Sequence, residues 1–259
     1  VEISGARIWV TGASSGIGAA LARELADRGA HVAVSARRAG ELAAVAGGRM
    51  AVVPVDVTDR SATVAAGQAV REALGGLDVA VLNAGTWSRF VVDPWDSRLF
   101  ADHLQVNVLG TVHSLEAVVP AMLAAGRGRV VGVASVAGYR GIPGSEAYNA
   151  GKAALINLFE SLRGSLAGRG IVVQTVNPGF VRTPMTDRNR FPMPFLVEPE
   201  MAARTIADGI AGDRAEIVFP LPMAVAMKLA RLVPTRTWTA LTAVLARRGL
   251  HGGPSRRTG

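Results

Sequence analysis

Two side chains four residues apart, Tyr148 and Lys152, raise the first chemical question. On a helix both project from one face, one turn apart. An unperturbed phenol, with a pKa of ~10, is a poor proton donor or acceptor at neutral pH. A nearby cation favours the phenolate and lowers that value. Such a pair can exchange a proton with a substrate oxygen. The same spacing arises on an ordinary surface helix with one ring and one charge, and that alternative stays open at this point. Lysine usage weighs against it. Of 28 basic residues, Lys152 and Lys228 are the two lysines and the rest are arginines. A compact ammonium on a flexible stem does not replace a guanidinium fork.

The elements that must position this pair can be read in order. Residues 7–10 form an apolar strand that opens into Thr11-Gly12-Ala13-Ser14-Ser15-Gly16-Ile17-Gly18, and a helix follows to Arg28. A glycine pattern acquires meaning between a strand and a helix. There its backbone N–H groups can approach a pyrophosphate, and the helix N-terminus adds partial positive charge. Gly12, Ser14, Ser15, Gly16, Ile17 and Gly18 are the expected cradle, with a purely structural turn as the alternative. A second strand, residues 31–35, ends at Ala36-Arg37-Arg38. An acid here would accept from the ribose hydroxyls of NAD. Arg37 and Arg38 suit a 2′-phosphate instead, so NADP is expected over NAD.

Residues 50–55 read as a third strand, with Asp56 and Val57 at its carboxyl end. Asp56 is either an acceptor for an adenine amino group or part of a turn. Thr58 or Asp59 can cap the next helix. A fourth strand, residues 78–82, leads to Asn83-Ala84-Gly85, small enough for a ligand to lie against the backbone. One long helix is expected over residues 97–125, and Asn107 sits inside it. Asn is mildly unfavourable there. It is either a satisfied core amide or a residue that disturbs the helix to hold a water. Ser135 follows a fifth strand, residues 129–134, and a sixth, 171–176, ends at Asn177-Pro178-Gly179. A helix over 199–211 and a strand over 216–219 close the body. Alternation of this kind predicts an α/β fold: a Rossmann-like doubly wound parallel sheet of about seven strands, helices on both faces, and a helical C-terminal tail. Residues 1–220 read as one dinucleotide-binding and catalytic domain, and 221–259 as a basic helical extension ending in a disordered tail.

Composition narrows the class. With 49% apolar and 19% charged residues the chain is globular. It has no cysteine, which excludes disulfides and thiolate metal sites and is compatible with a cytoplasmic protein. The first ten residues carry charges and do not read as a secretory signal. No uninterrupted apolar run reaches the ~18 residues of a membrane span. The net charge of +8 is uneven, because residues 217–259 hold seven basic residues and no acid. The body is nearly neutral, which argues against a nucleic-acid partner. The four histidines lie at 31, 103, 113 and 251, without the spacing of a metal site.

The chain resembles the short-chain dehydrogenase/reductase family, in its branch of about 250 residues. The glycine run 11–18, Asp56, Asn83-Ala84-Gly85, Asn107, Ser135, Tyr148, Lys152 and Pro178-Gly179 carry the resemblance, in the family's order and spacing over roughly residues 4–220. Leu82 departs from it, where a second Asn is usual. The resemblance implies an Asn107, Ser135, Tyr148, Lys152 tetrad. Tyr148 would be general acid in ketone reduction and base in alcohol oxidation. Lys152 would lower its pKa and bind the nicotinamide ribose. Ser135 would steady the oxyanion, and Asn107 would hold a water in a proton relay. Pro178, Gly179, Val181 and Thr183 would line the nicotinamide side. The family also pairs through the Asn107 and Tyr148 helices, so a homodimer or homotetramer is expected, with Ala153, Ala154, Leu155, Leu158 and Phe159 on the surface concerned.

The function so implied is an NADP-dependent oxidoreductase interconverting a carbonyl and an alcohol. A catalytically silent dinucleotide-binding regulator on the same fold is the alternative, and fold alone does not separate the two. The complete tetrad argues against silence. A sugar-nucleotide epimerase would use a longer substrate domain and a different glycine spacing. The loop after Ser135 and the segment 184–197 are expected to wall the pocket, and Val136, Ile142, Pro143, Phe191, Met193, Phe195 and Leu196 make that wall apolar, which favours an apolar substrate. In the tail, Pro222 to Val233 reads as one helix and Thr235 to Arg248 as a second, with Trp238, Leu241, Val244 and Leu245 on one face. That face either packs on the body or a neighbouring subunit, or lies on an anionic membrane surface.

Overall fold

Alternation within single strands builds the two-sided core. In β1 (Arg7–Thr11), Ile8 and Val10 point to one face and Trp9 to the other, and all three are fully buried. The computed structural model describes residues 1–189, 192–212 and 214–249, with the side chains of Arg188 and of residues 245–249 also outside the description. The tail expected to be disordered, and Phe191, therefore lie outside the described residues.

The elements then run α1 (Gly16–Asp27), β2 (His31–Ser35), α2 (Ala39–Ala46), β3 (Ala51–Val52), α3 (Arg60–Leu74), β4 (Val79–Leu82), α4 (Ser97–Leu104) and α5 (Gly110–Ala125). They continue with β5 (Gly128–Val133), α6 (Glu146–Ser165), β6 (Ile171–Pro178), α7 (Pro199–Ala211), β7 (Glu216–Phe219), α8 (Leu221–Ala230) and α9 (Thr235–Gly249). The seven strands pair in parallel in the order β3-β2-β1-β4-β5-β6-β7. The expected doubly wound sheet is thus present. On one face, Leu21 and Leu25 of α1 and Ile206 and Ile210 of α7 pack on the valines of the sheet. On the other, Val70 of α3, Leu115 and Val118 of α5, and Leu155 and Phe159 of α6 do the same. Strand order reverses between β1 and β4, and open α/β sheets bind ligands at that crevice.

Three details differ from the sequence reading. The third strand pairs over two residues, because β3 is an edge with β2 as its partner, and Val53 and Val55 run on as irregular chain. The expected helix over 97–125 is divided by a π turn, Gln105–Leu109, with Asn107 at its middle. This stretch, Ser97–Ala125, does have the length and mean hydropathy, 1.5, of a membrane span. Its polar side chains are nevertheless tied to the body: His103 to Ser88, Asn107 to Thr86, and Glu116 to Arg60. Third, Leu155 and Phe159, expected at a subunit surface, face the sheet. Ala153 and Ala154 are exposed, as are Leu109 and Val112.

Beyond β7, α8 and the start of α9 are tied to the body, while Leu241 and Val244 are exposed. Met223 and Met227 of α8 pack with Val136 and Tyr139. Arg140 donates to the Val233 carbonyl at 3.0 Å, and Trp238 Nε1 donates to the Gly141 carbonyl at 2.8 Å. Glu216 accepts from the Tyr139 hydroxyl, from Asn177 Nδ2 at 2.7 Å and from Lys228 Nζ at 2.7 Å. One carboxylate thus joins the tail, the loop after Ser135 and the end of β6. Packing on the body, one of the two sequence-derived alternatives, accounts for Trp238.

Candidate active site

The glycine loop is fastened to the next strand by two polar side chains. The Thr11 hydroxyl accepts from the backbone N–H of Asn83 at 3.0 Å and of Ala84 at 3.3 Å. Asn83 Nδ2 donates back to the carbonyls of Thr11 and Gly12, each at 3.1 Å. This lays Asn83-Ala84-Gly85 directly against the loop. Side chains would not fit there. A Cβ on Gly12, whose φ is +66°, would lie 2.6 Å from Ala84 Cα, and one on Gly18 would lie 2.4 Å from the Gly12 carbonyl oxygen. Ser15 starts α1 in an extended conformation with no side-chain cap, and the first turn holds no acid. The N–H groups there are open to an anion. This cradle fits a dinucleotide pyrophosphate on its own geometry.

Arg37 and Arg38 stand at one margin of the same groove. Arg37 is 73% exposed and 3.9 Å from an Asp56 oxygen, while Arg38 reaches Ser14 Oγ at 3.0 Å and Glu41 at 2.8 Å. The other Asp56 oxygen accepts from the Thr58 N–H and hydroxyl. Asp56 therefore holds a turn and still borders the groove. Asp59, through Ala62 N, is the cap of α3.

At the far end of the groove lie Ser135, Tyr148 and Lys152. Ser135 Oγ accepts from Ala137 N at 3.1 Å and donates to the Pro178 carbonyl at 3.3 Å. Tyr148 and Lys152 share a face of α6, and the Lys152 ammonium lies 5.6 Å from the phenol ring's centroid. Burial pushes the Tyr148 pKa above that of an ordinary phenol, and the Ser135 hydroxyl works in the opposite direction. The Lys152 ammonium donates to the Val133 carbonyl at 2.9 Å. In this geometry burial, not Lys152, sets the direction of the tyrosine's shift.

Lys152 itself is 4% exposed, and desolvation lowers its pKa from 10.5 to about 8. Between those two values the unfolded chain binds more protons than the folded one. This group's contribution to stability therefore rises as pH climbs from about 8 to 10.5. The melting temperature of the unliganded wild type is expected to gain on that of Lys152→Met across this window. Parallel melting curves would show an ammonium that is not desolvated.

Asn107 sits behind this end rather than in the groove wall. Its Oδ1 accepts from the Thr86 N–H at 2.8 Å and its Nδ2 donates to the Thr86 carbonyl at 3.0 Å. The amide is satisfied, and the helix is disturbed as well. Thr86, directly after Asn83-Ala84-Gly85, is a groove residue that sequence reasoning missed. Extending that motif by one position would have found it. Val106 was missed too, whereas Pro184, Met185 and Thr186 belong to the segment 184–197 that was expected to wall the pocket. Thr186 bonds to Thr183 and to the Val181 carbonyl in a turn set by the Val181–Val197 bridge. Pro178, Gly179, Val181 and Thr183 line the groove, and so do Val57, Ala84 and Gly85.

The expected apolar wall is corrected. Val136 is buried against Met223 and Met227, and Ile142, Pro143, Met193, Phe195 and Leu196 do not border the groove. Two loops instead meet beside the Tyr148 helix. Phe90 N donates to the Gly144 carbonyl, and Trp87 Nε1 to Ser145 Oγ. They leave Val91, Val92, Trp95 and Ile142 exposed.

Comparison with known proteins agrees with this architecture. The family model described as short chain dehydrogenase matches residues 6–192. An oxidoreductase of Myxococcus xanthus is 40% identical over 247 residues, spanning 92% of this chain and 97% of its own. A short chain dehydrogenase of Burkholderia cenocepacia in complex with NADP superposes with a TM-score of 0.81 at 27% identity, over 95% of this chain and 99% of that one. A short chain dehydrogenase/reductase of Burkholderia phymatum in complex with NAD has a TM-score of 0.81 at 24% identity, over 88% and 94% of the two chains, and shares the fold. With most of its length matched, this chain belongs to the short-chain dehydrogenase/reductase family of oxidoreductases.

Proposed function

We propose that the protein is an NADP-dependent oxidoreductase that interconverts a ketone or aldehyde with an alcohol, Tyr148 being the general acid and base. The observation that carries this reading is one groove with the pyrophosphate cradle and Arg37 and Arg38 at one end, and Ser135, Tyr148 and Lys152 at the other. A bound nicotinamide cofactor supplies the hydride. With its hydroxyl proton turned from the Pro178 carbonyl, Ser135 donates to the substrate oxygen, and Tyr148 gives that oxygen its proton or takes it away. A phenol whose pKa is raised keeps its proton at neutral pH, which is the form carbonyl reduction needs. Lys152 carries charge to this end of the groove, and Asn107 fixes Thr86 beside it. A silent binder would gain nothing from a desolvated ammonium there.

The exposed Val91, Val92, Trp95 and Ile142 near the Tyr148 end support an apolar substrate. Exposed Leu109, Val112, Ala153 and Ala154 on the Asn107 and Tyr148 helices support a homodimer or homotetramer. We place the protein in the cytoplasm, with residues 1–220 as the catalytic domain.

Arg37 tests the cofactor. The wild type should bind NADPH at least about tenfold more tightly than NADH, a difference of ~1.4 kcal/mol. Arg37→Ala should weaken NADPH and leave NADH nearly unchanged. Titration calorimetry with both cofactors measures this, and equal wild-type affinities reject the NADP assignment. A panel of ketones and alcohols, followed by NADPH consumption or formation, then identifies the substrate class.

A further inference from the structure

Helix α8 is apolar on two opposite sides. Met223, Ala224, Met227 and Ala230 form the buried side. Leu221, Val225, Leu229 and Leu232, at spacings of four, four and three, are 74%, 50%, 59% and 80% exposed. At ~100° per residue the three helical ones fall on one stripe, turned away from the body, and Leu232 lies in the turn just after the helix. A helix with one packed face ordinarily shows water a polar one. In α7 the exposed positions include Glu200, Arg204 and Asp208, so this chain follows that rule elsewhere. The basic side chains of α8 and the turn after it do not take the outer side. Instead Lys228 pairs with Glu216, Arg231 lies over the Tyr139 ring, and leucines take the outer side.

Charge selects the occupant. From Ile217 onward the chain has no acidic residue and seven basic ones. A second copy docked by two-fold symmetry would set this basic segment against itself. The neighbouring acid, Glu216, is already bonded to Tyr139, Asn177 and Lys228. An anionic bilayer offers hydrocarbon to the leucines and negative headgroups to the basic residues of this segment, the exposed Arg236 among them.

We infer that the outer face of α8 is a docking surface for an anionic lipid membrane. The stripe does not depend on the catalytic reading, but it lies close to the groove. Met223 Cγ and Pro220 Cδ lie 3.0 Å and 3.1 Å from where a Cβ on Gly179 would be, and Gly179 lines the groove. Docking therefore holds the groove within one helix diameter, ~10 Å, of the bilayer.

The experiment uses the full chain, sedimented with vesicles of phosphatidylcholine alone or mixed with phosphatidylglycerol. Protein is expected to pellet with the mixed vesicles at low salt, and less so as salt screens the charges. The double variant Leu229→Glu with Leu232→Glu should pellet at least about tenfold less, through lost apolar contact and added like charge. Both side chains are exposed, so its melting temperature and its NADPH turnover on a water-soluble ketone should match the wild type. Turnover lost in both proteins would count against the catalytic reading and leave the docking result intact. No pelleting with anionic vesicles at low salt overturns the inference, as does a double variant that pellets like the wild type. A wild type that loses half or more of its light-scattering mass on introduction of the two glutamates also overturns it, because the stripe is then covered by another copy.

Discussion

Tyr148→Phe is expected to lower turnover by at least about a hundredfold, the range of general acid–base catalysis, while cofactor affinity stays near that of the wild type. The variant keeps the ring that Lys152 overlies and removes the one oxygen that can exchange a proton with the substrate. Ser135 and Lys152 keep their bonds to the Pro178 and Val133 carbonyls when the hydrogen bond between Ser135 and the phenol is lost. Steady-state kinetics beside a cofactor titration separate the two effects. Turnover close to the wild type would take Tyr148 out of the mechanism. Loss of cofactor binding along with turnover would give it a structural role instead.

Gly18→Ala is expected to weaken NADPH by about a hundredfold, equivalent to ~2.7 kcal/mol and within the cost of overpacking a tight contact. Its added Cβ would stand 2.4 Å from the Gly12 carbonyl oxygen and 2.5 Å from Asn83 Nδ2. Both are part of the fastening between the glycine loop and β4, and one is backbone. Relief requires α1 to move off the loop, which carries the open N–H groups away from the pyrophosphate position. Calorimetric affinity and a melting curve check this together. An alanine variant that binds NADPH like the wild type would mean that the phosphates rest elsewhere.

Much of the site could be read from the chain because its residues sit at strand ends. Gly12 follows β1, Arg37 follows β2, Asn83 follows β4, Ser135 follows β5 and Pro178 ends β6, so the strand pattern placed each of them at one edge of the sheet. Other features depend on contacts remote in sequence. The π turn at Asn107 exists because its amide pairs with Thr86, 21 residues earlier. The segment after Thr183 is pinned by the Val181–Val197 bridge, and its apolar residues consequently leave the groove. Periodicity also could not orient α8. When both sides of a helix are apolar, the 3.6-residue pattern does not say which one meets the core.

The π turn also governs which lengths of chain this site tolerates. A π turn holds one residue more than regular α-helix requires, and such turns gather at functional sites. Deleting one residue between Gln105 and Leu109 would leave an unbroken helix, locally the better one. It would also rotate everything on one side of the deletion by ~100° relative to the other. Asn107 could then face Thr86, or Leu115 and Val118 could face the sheet, but not both. Across this stretch, gain or loss of a single residue is barred even where substitution is tolerated. Alignments of related chains should run ungapped from Asn107 to Leu115.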